Sequence, residues 1–351
     1  MKASGEATPV VDGEHRTIAG RFTAAVRAHS EACRLDVGCY VGLVGLAGAL
    51  LAASTWTGWQ LAAAFLIPAL GSTAGYYGGA YADREIDAAT KPNRPVPAGR
   101  MSARSALVGM VVSVVVGLAL AAVLNPVNLA FALVPILSGF VYGKFRTARR
   151  PLRVFVRGIA TIMAFAIGTV ITSGLVLWDL IALGLVFWQQ DSMLHQVAAI
   201  DDTEIDRRTG NWTFPVRYGH RAALLVLVIT LLFWFSSAAF QPISVSSRPF
   251  ELAPYTPFVT VATVLITAVT VMLFRAPRPL TGQPVTRAYG TLAIARLWIA
   301  TGFVAAAGAT VLALILLIVS TALTLLTLRT VTASARQHPQ QPWTVPSRPV
   351  R

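Results

Sequence analysis

Charged residues are absent from Val37 to Ala82 and from Ser105 to Gly143. A spanning helix needs roughly 20 apolar residues, so each tract predicts two. Between Arg157 and Asp191 the only charge is Asp179, which predicts two more spans with a turn near Trp178-Asp179. Ala222–Ser247, Leu252–Phe274 and Leu297–Leu328 predict one each. The sum is an all-α bundle of about nine transmembrane helices. Thr57-Gly58 and Asn125-Pro126 interrupt the first two paired tracts, so each pair reads as a tight helical hairpin. The last tract is longer than one span requires, which predicts a tilt or a bend there.

Composition agrees, with 55% hydrophobic and 13% charged residues. The net charge of +14 raises the question of nucleic acid, and its placement answers it. Nineteen Lys and Arg fall in four segments, 83–104, 144–157, 201–221 and 275–296, while the alternate connections carry only Arg248. The positive-inside rule makes those four segments cytoplasmic, together with an N-terminal tail bearing Lys2, Arg16, Arg21, Arg27 and Arg34. No nucleic-acid partner is expected. Nine spans put the C-terminus outside, against four Arg that follow the last apolar tract, Arg329, Arg336, Arg348 and Arg351. Lys2 leads into Ala-Ser-Gly-Glu rather than an apolar segment, so no signal peptide is expected. Cys33 and Cys39 support neither a disulfide framework nor a zinc site and read as packing residues.

These boundaries divide the chain into a partly disordered N-terminal tail (1–35), a nine-helix membrane domain (36–330) and a disordered, Pro-, Gln- and Arg-rich C-terminal tail (331–351). Arg16–Arg34 is a candidate interfacial helix with Phe22, Val26 and Ala32 toward lipid, and a solvated helix fits it equally.

The chain also repeats itself. Asp83-Arg-Glu-Ile-Asp87-Ala-Ala-Thr90 recurs as Asp202-Thr-Glu-Ile-Asp206-Arg-Arg-Thr209, and both copies lead into Pro-Val, at Pro95-Val96 and Pro215-Val216. Each copy lies at the cytoplasmic end of the second helix of a hairpin. The expected architecture is two four-helix units, plus one helix, related by a pseudo-twofold axis along the membrane normal that brings four aspartates face to face.

Positions four apart share a helix face, so Asp83 with Asp87 and Asp202 with Asp206 form two carboxylate pairs. Like charges at that spacing repel and are easier to retain around a cation. Hard oxygen ligands with open positions suit Mg²⁺, which completes its shell with water and phosphate; Asp201 is a further candidate ligand. Lys91, Arg94, Arg207, Lys144 and Arg146 stand near the pairs as candidate partners for phosphate oxygens, Arg through its planar fork. Ordinary positive-inside charge accounts for such residues as well.

These segments resemble the UbiA-type intramembrane prenyltransferases, which include 4-hydroxybenzoate polyprenyltransferase and chlorophyll synthase. Asp83-Arg-Glu-Ile-Asp87 with Asn93-Arg-Pro-Val-Pro-Ala-Gly-Arg100 is similar to that family's first motif and its loop, and Asp202 and Asp206 with Gly210-Asn-Trp-Thr-Phe-Pro-Val216 to its second. Tyr142-x-Lys144 is a third match. The resemblance implies Mg²⁺ on both aspartate pairs, an allylic isoprenoid diphosphate as donor, Arg94 and Lys144 as diphosphate ligands, and a small lipid-soluble or aromatic acceptor inside the membrane. Gly79-Ala80 departs from the family's usual Asn-Asp, and Ala198 from a polar residue.

Asp191 and His195 lie on nearly the same face of the sixth span, about 16 Å along the helix from Asp202. Ionisable groups at that depth are functional candidates, here for positioning the acceptor or taking its proton, with a structural hydrogen bond as the plain alternative. A membrane terpene cyclase would use the same diphosphate site without an acceptor. An ion-coupled transporter is the third reading, disfavoured because the aspartates sit at helix ends rather than at the midplane.

Overall fold

The computed structural model describes residues 18–147, 155–156, 158–173, 178–208, 210–244 and 250–337. Its helices in chain order are α1 (Ile18–Cys33), α2 (Leu35–Ala52), α3 (Gly58–Ala82), α4 (Arg84–Thr90), α5 (Ala103–Leu124), α6 (Val127–Thr147), α7 (Ile159–Ser173), α8 (Trp178–Asp201), α9 (Thr203–Arg208), α10 (Phe214–Ser244), α11 (Leu252–Arg275), α12 (Gln283–Ala306) and α13 (Thr310–Gln337). No strand occurs among the described residues. By length and composition α2, α5, α10, α11, α12 and α13 are candidate spans. The chain is a multi-pass membrane bundle.

The hairpin turns fall where the breakers stand. Thr57 caps α3 reciprocally: its hydroxyl accepts from the Gln60 amide, and Gln60 Oε1 accepts from the Thr57 amide. At the other hairpin, Asn125 Oδ1 accepts the Val127 amide across Pro126. Short α4 and α9 follow α3 and α8 in corresponding places, so the sequence repeat is also a structural one.

The last expected span is corrected. Leu297–Leu328 is not one helix but parts of two, because a single helix of that length would overrun the bilayer core by more than a dozen ångströms, on the order of 48 Å against 30 Å. The chain turns at Ala307–Ala309, with Gly308 at φ 83. α12 begins at Gln283, with a proline in its first turn, inside a segment counted above as a cytoplasmic connection. The antiparallel α12–α13 hairpin returns the chain to the end of the bundle that holds the aspartate motifs. Arg329, near the far end of α13, is therefore on the side of the bundle that holds the motifs. α13 also continues to Gln337, past the expected boundary at 330.

α2 is the central helix, buried on nearly all sides between α3, α7, α12 and α13. Lipid tails give helices no hydrophobic reason to associate, so close backbone packing has to hold them together. A Cβ added to Gly168 of α7 would overlap the carbonyl oxygen of Gly45 in α2, and one added to Gly45 would overlap that of Ala64 in α3. Side-chain amides add cross-links: Gln189 and Gln196 of α8 donate to Ser237 and Thr230 of α10, each at 3.0 Å.

Gly168→Val should therefore separate α2 from α7. The expected result is a lower melting midpoint in detergent, with a loss of at least about 1–3 kcal/mol from overpacking. Gly71→Ala, where a Cβ meets nothing within 4 Å, should melt like the parent protein. Equal midpoints for both variants would show that the α2–α7 contact does not limit stability.

Candidate diphosphate site

Each aspartate motif sits at a joint between a long helix and a short one. Asp83 ends α3 and opens α4, and Asp202 stands between α8 and α9. The backbone ladder continues through both joints. Asp83 N–H donates to Gly79 and Asp87 N–H to Asp83, at 2.9 and 2.7 Å; Asp202 donates to Ala198 and Asp206 to Asp202, at 3.0 and 2.8 Å. The i, i+4 register survives, so both carboxylates of each pair share a face. Asp87 and Asp206 are buried, and Asp83 and Asp202 are half-buried.

The two motifs meet. Lys91 Nζ, just after α4, donates to both oxygens of Asp202 at 3.0 and 3.3 Å. Arg94 Nη1 reaches back to Asp87 Oδ2 at 2.6 Å. In the second motif Asn211 plays the matching part, its side-chain amide on Asp206 Oδ1 at 3.2 Å and its N–H on the Asp206 carbonyl at 2.8 Å. The result is an acidic face at one end of the bundle, with Lys91 and Arg94 already on it.

Other expected residues fall elsewhere. Arg207 pairs with Glu204 at 2.8 Å on the exposed side of α9, and Arg208 does the same. The Arg208 hydrogen bond, joined by Arg207, holds the Glu204 carboxyl below the usual carboxylate range. Asp201 is exposed, near the Gly282 backbone amide. Tyr142, Lys144 and Arg146 lie on the end of α6, and their side chains are outside the described residues. Deeper in the bundle His195 Nε2 lies 3.5 Å from Asp191 Oδ2 on consecutive turns of α8.

Among the described residues no three acidic, His or Cys side chains cluster tightly enough to enclose one ion. Mg²⁺ is usually held by one or two carboxylates with its remaining positions on water and phosphate. The donor chemistry fits, since the carboxylates in both motifs are hard oxygen ligands. At Gly79, where the resemblance expects a polar side chain, an added Cβ would meet nothing within 4 Å.

Comparison with known proteins points the same way. Residues 41–289 match the model of the UbiA prenyltransferase family. The digeranylgeranylglyceryl phosphate synthase of Korarchaeum cryptofilum is 31% identical over 210 residues, 56% of this chain and 73% of that protein. The enzyme of the same name from Pyrococcus furiosus is 30% identical over 237 residues, 65% of this chain and 80% of its own. Among solved structures, a UbiA homolog from Aeropyrum pernix superposes with a TM-score of 0.65 at 19% identity, covering 78% of this chain and 98% of that one. One from Archaeoglobus fulgidus bound to GPP and Mg²⁺ gives 0.58 at 18% identity, covering 80% and 99%. At these identities the superpositions speak for the fold.

One buried polar cluster escaped the sequence reading. Asp36, fully buried at the start of α2, accepts from Arg34 Nε and Nη2 at 3.0 and 3.1 Å and lies 3.5 Å from Arg296 Nη2. Arg296, only 1% exposed in the middle of α12, stacks its guanidinium 4.6 Å above the Tyr40 ring. Arg34 also donates to the Tyr289 hydroxyl at 3.3 Å. Arg296 had been counted among cytoplasmic loop charges, and the Gly282-Gln283-Pro284 helix start was the signal that places it on a helix instead. Tyr40 feels the charges of both Arg296 and Asp191, so this cluster adjoins the Asp191–His195 pair.

Asp36→Asn should leave two buried guanidinium groups facing a neutral amide, with a loss of stability of roughly 3–5 kcal/mol. Thermal unfolding in detergent measures it, and adding Arg296→Met should recover part of the loss. No recovery in the double variant would mean that Arg296 is not the uncompensated charge.

Proposed function

The chain belongs to the UbiA prenyltransferase family, and from that premise we propose that it transfers an isoprenoid chain from an allylic diphosphate to a lipid-soluble acceptor within the membrane, using Mg²⁺. The observation that carries this reading is the Lys91–Asp202 bridge, because it brings both aspartate pairs and two cations to one end of an apolar bundle. That end can take a doubly charged headgroup while the bundle receives its hydrocarbon tail.

Asp83, Asp87, Asp202 and Asp206 are the residues that would hold Mg²⁺. Bound there, the ion neutralises charge that builds up on the departing diphosphate. Arg94 and Lys91, standing on Asp87 and Asp202 in the free protein, exchange those carboxylates for diphosphate oxygens. Lys144, Tyr142 and Arg146 are proposed as further diphosphate partners from the end of α6. The allylic C–O bond breaks with its electron pair going to the diphosphate, and the acceptor nucleophile forms the new bond to the same carbon. The acceptor gives up a proton as the new bond forms, and the Asp191–His195 pair is the proposed group that takes it. Exclusion of water by the bundle protects the allylic cation until capture.

The curated relatives carry the name digeranylgeranylglyceryl phosphate synthase, which supports a glyceryl phosphate lipid as the acceptor class. An aromatic acceptor is the competing class. The motif side, with the N-terminus, is cytoplasmic by the distribution of Lys and Arg.

Asp83→Ala and Asp206→Ala should each abolish pyrophosphate release from allylic diphosphates, by on the order of a thousandfold, while the variants still fold in detergent. EDTA should stop the parent protein and added Mg²⁺ restore it. Undiminished turnover in either variant removes the proposed site. Release with a cyclic product in the absence of any acceptor reassigns the chain as a terpene cyclase.

A further inference from the structure

The loop from Lys91 to Met101 holds Arg94 in place, yet it contains no regular element. It winds through successive turns, with Arg94 N–H on Lys91, Ala98 on Arg94, Gly99 on Val96 and Met101 on Pro95, and Gly99 in the left-handed region at φ 69. Such a segment is rigid only if something outside it grips it. The grip comes from α1. Arg100 forks onto Glu31 of α1, Nη1 to Oε2 at 2.6 Å and Nη2 to Oε1 at 2.9 Å, and the same Nη2 donates to the Asn93 carbonyl at 2.6 Å. The Glu31 side chain is only 8% exposed.

An apolar contact runs alongside. Ala28, Ala32 and Cys33 of α1 form a small separate core with Met101, Tyr77 and Ala106, and Val96 packs on it. His29 Nδ1 lies 2.9 Å from the Tyr77 hydroxyl. One face of α1 is thus committed to the loop, while Phe22 and Val26 on the other side stay exposed.

The second half of the molecule solves the same problem with different chemistry. Pro215, Val216, Gly219 and His220 repeat the spacing of Pro95, Val96, Gly99 and Arg100, and Gly219 again has positive φ, at 80. His220 accepts the Leu280 N–H at 3.3 Å and lies 3.2 Å from the Thr203 hydroxyl. Each motif loop is closed by a residue that reaches out of its own repeat, to α1 in one half and to the connection before α12 in the other.

We propose that α1 is a strap that positions the diphosphate-binding loop, with Glu31 acting through Arg100 and the Asn93 carbonyl to hold Arg94 on the site. The consequence for catalysis rests on the function proposed above for Arg94; the strap itself does not. Glu31 touches no reacting atom and is a positioning residue.

The test uses the full chain in detergent with Mg²⁺, comparing the parent protein with Glu31→Gln, Arg100→Gln and the double variant. Two quantities are read: steady-state KM and kcat for an allylic diphosphate, and amide hydrogen exchange across residues 93–101 in the absence of substrate. Glu31→Gln should raise KM about tenfold with kcat within about twofold, and speed loop exchange by a similar factor. The double variant should be no worse than Arg100→Gln alone, because both substitutions cut one chain of contacts. Unchanged exchange in Glu31→Gln overturns the strap. So does a fall in kcat at constant KM, which would mean that Glu31 acts on the chemical step. If the parent protein releases no diphosphate, the functional reading fails and the exchange result alone still decides the strap.

Discussion

Four aspartates gathered at one end of an apolar bundle repel one another, and the surrounding structure is arranged around offsetting that repulsion. Lys91 crosses to Asp202, Arg94 turns back onto Asp87, and Asn211 caps Asp206. Without such partners, buried carboxylates in a medium of low dielectric would carry a desolvation cost of several kcal/mol each. Under the function proposed above, the partners are also exchangeable: each is a cation or an amide that would give way to a diphosphate and its metal.

The same demand recurs deeper in the bundle. Arg296 sits buried in the middle of α12, where Asp36, shared with Arg34, and the face of Tyr40 compensate it. Intramembrane charge is tolerated where it faces protein and finds a partner. The bundle thus has two polar layers, one at the helix ends around the aspartate motifs and one near the Asp191–His195 pair, separated by roughly 16 Å along α8. Glycines hold the layers in register by letting α2 lie against α3 and α7 at backbone distance, closer than side chains would allow.

Much of this was legible in the residues. Helix starts at Thr57-Gly58 and Asn125-Pro126 follow from local capping and breaking, which depend only on near neighbours in the chain. The repeat of Asp83-x-Glu-Ile-Asp87 forecast equivalent joints, and the backbone hydrogen bonds at the two joints do correspond. That the final apolar tract must tilt or bend was legible from its length, but the place of the split was not, because Ala307-Gly308-Ala309 contains no residue that a helix cannot accommodate. The turn is set by the bilayer-scale length limit and by packing of α13 on α12.

The sequence by itself determined that the chain is helical, crosses the membrane several times and carries two like acidic motifs, because hydropathy and helical spacing are properties of consecutive residues. Tertiary structure alone decided which charges are paired and which are buried. Lys91 on Asp202, Glu31 on Arg100 and Arg296 beside Asp36 join residues 111, 69 and 260 positions apart, and nothing in the linear pattern names the partner of any of those cations. Coulombic pairing is a function of distance in space, and that distance exists only once α1, α3, α8 and α12 have packed.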